Sequence, residues 1–362
     1  MINYTDNERA IIWLDCFSGF SREQKLKIIN CTKDPAAILA DLTVISKFIG
    51  KDVGENVYNA LKASLELGMD KKAVNDLASE GITAVTCVSD LYPKQLLQIP
   101  DPPMILYCKG NLSLLSERNL FTIVGSRKSL PAIVTTAEEF SKDLSSNGVT
   151  VVTGLAEGVE AAVIKGALPS GNVISIIPGG FKHVYPEFHR RLFDEVAENG
   201  LVISEHNPDV VSKPYHFPDR NRLLAALSRG VLVCSAGKKS GTSYTADFAN
   251  SYGKDVFAFP YTLGVPSGEG CNAMIKEYAC LCDSVDDIYL SLGITRTAKK
   301  TTAALTEAEA RVFACIKECD CHIDLLLQKT GMKIFELSPV LTMLEIKKYI
   351  VKNPGNEYSA IK

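Results

Sequence analysis

The sequence lacks three features that would assign it to a membrane or secreted class. Its 362 residues contain no apolar run of the roughly 18 residues that a membrane-spanning helix needs. The start, MINYTDNERA, has no basic stretch followed by an apolar one, as a secretion signal would. The eleven cysteines are scattered and odd in number, which indicates reduced thiols rather than a disulfide framework. We therefore expect a cytoplasmic protein with no membrane partner.

The sequence also has little net charge. A formal charge of −3 excludes a protein that is basic throughout, so any surface for nucleic acid must come from local clustering. Apolar residues make up 46% of the chain and charged residues 22%, which is typical of a soluble globular protein. A chain of 362 residues is too long for one ordinary core, so two or three domains are expected.

Hydrophobic periodicity predicts three domains. Residues 1–85 have helical spacing and should form a small helical, SAM-like domain. Residues 86–292 should form a Rossmann-like α/β domain, whose first part, 86–119, is a connector with short strands and proline turns. The polar stretch 293–302 is typical of a linker. Three helices and a small hairpin over 303–362 predict a winged-helix-like domain.

The central region alternates strands and helices clearly enough to place each element. The predicted strands are continuous apolar runs, as buried parallel strands should be, at 121–124, 150–153, 172–177, 201–204, 230–234 and 255–259. The predicted helices between them are 131–147, 158–168, 186–199, 220–228 and 243–252. This order predicts a doubly wound, mostly parallel sheet. Such sheets bind ligands beyond the carboxyl ends of their strands, so the residues that follow each strand are the candidates for a site.

The first of these turns is Gly125-Ser126-Arg127, after which a helical pattern begins near Pro131. Glycine permits a tight turn, and the start of a helix offers unpaired N–H groups and a positive dipole end. The planar cation of arginine suits phosphate. The turn by itself is a weak signal, because a surface arginine after a buried strand would look the same.

The later turns share this chemistry, with glycine, serine, threonine and arginine at nearly every strand end. Between Ser212 and Lys254, seven Lys and Arg residues accompany two Asp, an excess of five positive charges that favours a polyanion. Aromatic rings at Phe181, Tyr185, Tyr215 and Phe217 lie among these turns and could stack on bases. Each ring alone more often packs beneath a loop. We expect one electropositive, glycine-lined groove for an unpaired polynucleotide strand.

A series of motifs runs through these turns in a fixed order. After GSR come TGLAEGVEAAVIKGAL (153–168), PGGFKHVYP (178–186), SEHNP (204–208), HFPDRNRLLAALS (216–228), SGTSYTADFA (240–249) and GCNAMIKEYA (270–279). In this order and spacing the series resembles the DprA/Smf family of DNA-processing proteins. The resemblance covers the whole α/β region and, less specifically, the flanking domains.

The resemblance implies a Rossmann-like domain that binds single-stranded DNA without known catalysis, and so neither catalytic residues nor a cofactor nor a metal. It implies that the protein protects incoming DNA in natural transformation, assists loading of a RecA-type recombinase and forms a homodimer. It implies that Arg127 and the Gly179-Gly180 loop contact the DNA backbone, with Lys182, Arg220 and Arg222 as further basic candidates. The full candidate set for DNA contact is Gly125, Ser126, Arg127, Gly154, Gly179, Gly180, Lys182, Tyr185, Arg220, Asn221, Arg222, Lys239, Ser240, Gly241, Thr242 and Asn272.

The chain departs from the family pattern at two turns. The family usually reads GLARGID where this chain reads GLAEGVE, with Glu157 and Glu160. Glu157 replaces a positive group on or near the predicted DNA-binding rim, and whether this loop contributes to affinity in this chain stays open. Leu130-Pro131-Ala132 stands where the family usually has tyrosine and glycine after the GSR turn.

A nucleotide-binding or nucleotide-hydrolysing enzyme on the same sheet is the alternative. Phosphoribohydrolases of the lysine-decarboxylase-like type carry a PGG turn followed by Gly-Thr and paired glutamates, whereas FKHVYP follows the turn here. A catalytic acid–base pair is not apparent elsewhere in the sequence. Glu205 follows a strand end, and we expect it to orient Arg220 or Arg222 rather than to act on a substrate.

Metal binding is disfavoured by the spacing of histidines and cysteines, and duplex reading by the apolar composition of the last predicted helix. His183, His189 and His216 lie near the predicted groove without metal-ligand spacing, and the cysteines at 280–282 and 315–321 lack a paired C-x-x-C. The last predicted helix, 338–348, is largely apolar, whereas duplex-reading winged helices present a polar recognition helix. A role in docking or protein contact is therefore favoured for the C-terminal domain.

Overall fold

The computed structural model describes residues 3–32, 34–45, 55–238, 240–295, 305–318, 321–347, 349–353 and 355–360. The chain divides into two compact units, residues 1–295 and 296–362, and each is described by itself. Most of the predicted linker at 293–302 lies outside the described residues. Across the described ranges, we find no helix with the length and apolar character needed to cross a bilayer.

Unit 1 begins with helices, as predicted. They are α1 (Asp6–Cys16), α2 (Arg22–Cys31), α3 (Ala37–Ala40), α4 (Glu55–Glu66) and α5 (Met69–Ser79). Thr5 and Ser21 start α1 and α2 with capping boxes, in which the cap hydroxyl and the third helical residue each satisfy a backbone N–H. The indole of Trp13 is buried among these helices and donates to Ser64 Oγ at 2.9 Å.

A nine-stranded sheet follows, with strand order β1-β2-β6-β5-β4-β3-β7-β8-β9. Its strands are β1 (Thr83–Thr86), β2 (Ile105–Gly110), β3 (Leu120–Gly125), β4 (Thr150–Thr153), β5 (Val173–Ile177), β6 (Leu201–Ser204), β7 (Gly230–Ser235), β8 (Asp255–Ala258) and β9 (Cys280–Leu281). Strands β3 to β9 are parallel, while β2 pairs antiparallel with β6 and with β1. The doubly wound, mostly parallel sheet predicted from the sequence is confirmed.

The helices of the sheet lie on both of its faces. They are α6 (Pro131–Ser146), α7 (Val159–Ala167), α8 (Arg190–Asn199), α9 (His216–Leu227), α10 (Gly241–Ser251), α11 (Glu269–Glu277) and α12 (Val285–Leu292). Alternate residues of β3 point to opposite faces, because successive side chains of a strand alternate. Phe121 and Ile123 join the core beneath α6 to α8, and Leu120 and Val124 join the core beneath α9 to α11. Two full apolar layers therefore hold the strand ends in place.

The N-terminal helices and the sheet pack as one body. The predicted boundary at residue 85 falls inside β1, and the strands of the predicted connector belong to the sheet. The Ala84 backbone N–H donates to Tyr4 Oη at 2.8 Å, and Tyr107 Oη donates to Asp15 at 2.6 Å. These buried contacts place the helices over the β1–β2–β6 side of the sheet.

Unit 2 has the predicted winged-helix architecture. It contains α13 (Glu307–Glu318), β10 (Cys321–His322), α14 (Ile323–Thr330), α15 (Ile334–Ile346), β11 (Ile350–Asn353) and β12 (Glu357–Ala360). Thr306 and Glu309 form a capping box at the start of α13. Lys347 Nζ lies 2.6 Å from Glu309 Oε2, so this cation is engaged within its own unit. Lys348 lies outside the described residues.

Candidate nucleic-acid interface

A groove of about 630 Å³ opens where the strand order of the sheet reverses, between β3 and β7. Residues 125–128, which follow β3, line one side, and residues 240–242, which open α10, line the other. In doubly wound sheets this switch point is the usual ligand site, because the loops after the two strands diverge there. We call it the switch-point groove. Of the predicted contacts it brings together Gly125, Ser126, Arg127, Arg220, Asn221, Ser240, Gly241 and Thr242.

The turn after β3 is packed directly onto the start of α7. A Cβ on Gly125 would lie 2.7 Å from Val159 Cγ2, closer than carbon atoms approach. Gly158 has a φ of +79°, and a Cβ there would lie 2.5 Å from the carbonyl oxygen of Arg127. Both glycines are therefore needed to seat the turn, which fixes the backbone from which Arg127 projects.

Arg127 is exposed and lies against two aromatic rings. Its guanidinium carbon is 5.7 Å from the centroid of Tyr185 and 5.5 Å from that of Phe217, and the two rings meet edge to face at 5.5 Å. Tyr185 is 47% exposed. Within the described ranges, no carboxylate lies within ion-pair distance of Arg127. The guanidinium is thus held by ring contacts while its charge stays available to an anion.

The opposite side of the groove is the start of α10. Ser240 caps this helix, its Oγ accepting from the Thr242 N–H at 3.2 Å. Asn221 is buried and donates from Nδ2 to the carbonyl oxygen of Gly241 at 3.1 Å, which fixes the entry of the helix. An anion here would meet backbone N–H groups and the positive end of the helix dipole. Lys239, predicted as a contact, lies outside the described residues.

Arg220 lines the floor of the groove but is not the free cation that we predicted. It is 6% exposed, donates from Nη1 to the Ile176 carbonyl at 2.8 Å and pairs with Glu160 at 3.5 Å. Its Nε has no hydrogen-bond partner among the described residues. Glu160 also accepts from the Ala156 N–H at 2.8 Å. Glu160 is therefore buried against Arg220 and is not an exposed charge of that loop, whereas Glu157 is exposed.

Gly154 provides the space for this buried pair. A Cβ at this position would lie 1.8 Å from Arg220 Nη1 and 2.2 Å from Glu160 Oε2. We expect Gly154→Ala to lower the free energy of unfolding by about 1–3 kcal/mol, as overpacking of a filled core does. Chemical denaturation followed by Trp13 fluorescence would measure this loss. Gly241→Ala is the matched control, since a Cβ there meets no atom of the described residues within 4 Å. Equal stability of the two variants would contradict the tight packing.

The position of Arg222 contradicts a second prediction, that this residue contacts DNA phosphates. It is 2% exposed, its Nη2 lies 2.6 Å from Glu205 Oε2 and its Nε lies 2.8 Å from Asp101 Oδ2. Arg22, on α2, also pairs with Glu205. The predicted orienting role of Glu205 is confirmed. Arg222 is therefore an internal link between α9 and the end of β6 rather than a phosphate contact.

Lys182 and the PGG turn are also placed elsewhere. Lys182 Nζ lies 2.8 Å from Glu80 and 2.9 Å from Asp209, and these carboxylates raise its pKa. Gly179 and Gly180 are buried beneath residues 207–212, since a Cβ on Gly180 would lie 2.3 Å from the Pro208 carbonyl oxygen. The loop after β6 thus covers the turn. Neither the PGG turn nor Lys182 lines the switch-point groove.

Two further predicted contacts have internal roles. Asn272 donates from Nδ2 to the Tyr261 carbonyl at 2.9 Å and accepts from the Tyr261 N–H at 3.0 Å. This pairing fixes the loop after β8. Phe181 is 4% exposed and packs on Phe193, so it cannot stack on a base in this arrangement.

The sequence of residues 83–293 matches the family described as DNA recombination-mediator protein A, and residues 296–356 match the DprA winged helix domain. The chain belongs to this family. DNA processing protein DprA of Streptococcus pneumoniae is 32% identical over 275 residues, which cover 75% of this chain and 93% of that protein. DNA processing protein DprA of Bacillus subtilis is 36% identical over 217 residues, which cover 59% of this chain and 72% of that protein.

Two solved structures of the DprA family resemble this chain. DprA from S. pneumoniae superposes with a TM-score of 0.67 and 29% identity, covering 80% of this chain and 98% of that one. DprA from Helicobacter pylori, whose structure concerns its single-stranded DNA binding mode, gives a TM-score of 0.54 and 30% identity, covering 58% of this chain and 95% of that one.

The groove residues outside the predicted contact set of this DprA-family chain include a cation, Lys128, and an aromatic ring, Phe217, which was predicted only as a ring that could stack on bases. Lys128 is exposed and lines the groove, and its position directly after Arg127 was a signal that could have found it. Phe217 lines the groove as a half-buried ring beside Arg127. On α9, His216 before it is buried, whereas Pro218 and Asp219 after it are half-buried.

Proposed function

We propose that this chain binds single-stranded DNA through the switch-point groove. One observation supports this most directly. Arg127 is a cation without a carboxylate partner among the described residues, set against two aromatic rings and opposite the start of α10. Phosphate, ring and helix contacts lie within one groove, which is the combination that single-strand binders use.

Each side of the groove has a separate task in this proposal. Arg127, Lys128 and the N–H groups at the start of α10 bind backbone phosphates, with Ser126 and Thr242 as hydroxyl donors. Tyr185 lies beside the groove, against Arg127 and the lining residue Phe217, and offers a half-exposed ring to a base, a contact worth about 1–3 kcal/mol. A base inside a duplex is already stacked on its neighbours and cannot use that ring. The stacking contact therefore favours an unpaired strand.

We extend this proposal to the biological role. The family is described as a recombination mediator, and the H. pylori relative is described by its single-stranded DNA binding mode. By this relationship the chain would protect incoming DNA during transformation and assist loading of a RecA-type recombinase. It would act as a homodimer through its Rossmann-like unit. Two linked grooves would raise the apparent affinity for one long strand.

Binding without catalysis is the proposed activity, and a length series tests it. Labelled oligo-dT of increasing length, a matched duplex and thymidine monophosphate should be titrated across a range of salt concentrations. We expect affinity to rise with oligo-dT length, and its logarithm to fall against that of salt with a slope of about −0.7 for each phosphate neutralised. Tight binding of the mononucleotide with turnover, independent of oligonucleotide length, would instead favour a nucleotide-hydrolysing enzyme.

A further inference from the structure

The positive charges clustered in the sequence between Ser212 and Lys254 divide between the two ends of the sheet. Arg229 directly precedes β7, and Lys254 directly precedes β8. Both lie at the amino ends of the strands, opposite the switch-point groove. They line a second groove of about 620 Å³ together with Lys94 and Arg118. We call it the amino-end groove.

The four cations of the amino-end groove lack carboxylate partners among the described residues. Asp90 and Glu117 also line the groove, but neither lies within ion-pair distance of any of the four. Lys94, Arg118 and Arg229 are exposed, and Lys254 is half-buried. Among its described residues, the lining thus has twice as many cations as carboxylates, and none of the cations is paired with a carboxylate.

Arg229 is held in a fixed orientation. Its Nη1 donates to Asn119 Oδ1 at 3.1 Å and to the Leu292 carbonyl at 2.9 Å. Burial and the charge of Arg229 lower the pKa of Lys254. Two like charges therefore lie near each other, and a bound anion would reduce the repulsion between them.

Helix dipoles explain the positions of only two of the four cations in the amino-end groove. The carboxyl ends of α9 and α10 point to this side of the sheet, and cations there stabilise the helix dipoles. That explanation covers Arg229 and Lys254, which follow the two helices. It does not cover Lys94, which follows Pro93 in a short 3₁₀ turn, or Arg118, in the loop before β3.

We propose that the amino-end groove is a second DNA site, which binds the sugar–phosphate backbone of a duplex segment. Arginine forks and lysines suit phosphates, whereas Tyr92, the one ring in the lining, is buried and cannot stack on a base. Contacts to phosphate alone do not require unpaired bases. The two grooves are separated by the length of β3, six residues or about 20 Å, so a duplex with a single-stranded tail could reach both.

The test uses fluorescence anisotropy of a labelled 20-base-pair blunt duplex over a salt series, with the full chain. We expect Lys94→Glu/Arg118→Glu to lower duplex affinity on the order of tenfold. The slope of log affinity against log salt should become less steep by about 1.8, since two phosphate contacts are lost. Labelled dT6, short enough for one groove, should bind this variant within twofold of the unchanged protein. The double variant should unfold at the same temperature as the unchanged protein, because both side chains are exposed.

Two controls separate this site from the switch-point groove and from general charge. Lys62→Glu/Lys72→Glu makes the same total charge change at exposed positions on α4 and α5 that line neither groove, and should keep duplex affinity. Arg127→Ala should weaken dT6 while leaving duplex affinity within twofold. An equal loss of duplex affinity in Lys62→Glu/Lys72→Glu, or no loss in Lys94→Glu/Arg118→Glu, would overturn the proposal. Labelled polyglutamate of equal charge binding more tightly than the duplex would overturn it in favour of an acidic protein segment.

Discussion

Arg127→Ala is expected to weaken oligo-dT binding on the order of tenfold to a hundredfold. This fold-change corresponds to the free energy of one charged hydrogen bond to phosphate. The side chain is exposed and makes no ion pair with any described residue. Its charge is therefore available to a bound strand. The salt slope should become less steep by about 0.7, because one phosphate contact is removed. Anisotropy titrations of labelled dT20 at four salt concentrations would measure both quantities.

The same substitution should leave the fold nearly unchanged. Only the contacts with Tyr185 and Phe217 are lost, and such exposed cation–π contacts are worth about 0.5–1 kcal/mol. Arg127→Lys should keep the salt slope but lose part of the affinity, since an ammonium lacks the planar fork. Arg191→Ala removes an arginine that is 91% exposed on α8, outside the groove, and should bind as the unchanged protein does. Undiminished binding by Arg127→Ala would remove the main support for the switch-point groove.

The strands and the turn after β3 could be predicted because their signals are local. A buried parallel strand is a continuous apolar run, and the predicted bounds of β4 and β6 coincide with those observed. The Gly125-Ser126-Arg127 turn follows from a glycine that ends such a run. Neither inference needs to know which residues lie nearby in space.

The buried arginines could not be predicted, because their partners are distant in the chain. The sequence pattern predicts a helix that starts at residue 220, whereas α9 begins at His216 with Pro218 in its first turn, where no intrahelical N–H is required. Arg220 and Arg222 lie within this helix and are both buried, although two residues apart on a helix they point to different sides of it. Their partners, Glu160 and Glu205, lie on other elements. A charged pair of this kind looks like a basic surface motif until tertiary contacts are known.

The buried pair of Glu205 and Arg222 leads to the prediction with the largest effect on stability. Glu205→Ala should lower the free energy of unfolding of unit 1 by about 3–5 kcal/mol, because it leaves the Arg222 guanidinium buried without its main partner. Asp101 remains near Nε, but its side chain is 49% exposed and compensates weakly. Trp13, the single tryptophan, lies in unit 1 and reports its unfolding in a urea titration.

Two further variants test whether the loss of stability arises from the Glu205–Arg222 pair itself. Arg22→Ala should cost less than about 1 kcal/mol, since the Arg22 side chain is 40% exposed and its pair with Glu205 is partly solvated. Replacing both buried members, as Glu205→Leu/Arg222→Met, should recover most of the loss, because an apolar pair leaves no unpaired charge. That double variant should also keep its affinity for oligo-dT, because Arg222 does not line the switch-point groove. If affinity fell with stability restored, Arg222 would be a DNA contact after all, and our assignment of it as an internal link would be wrong.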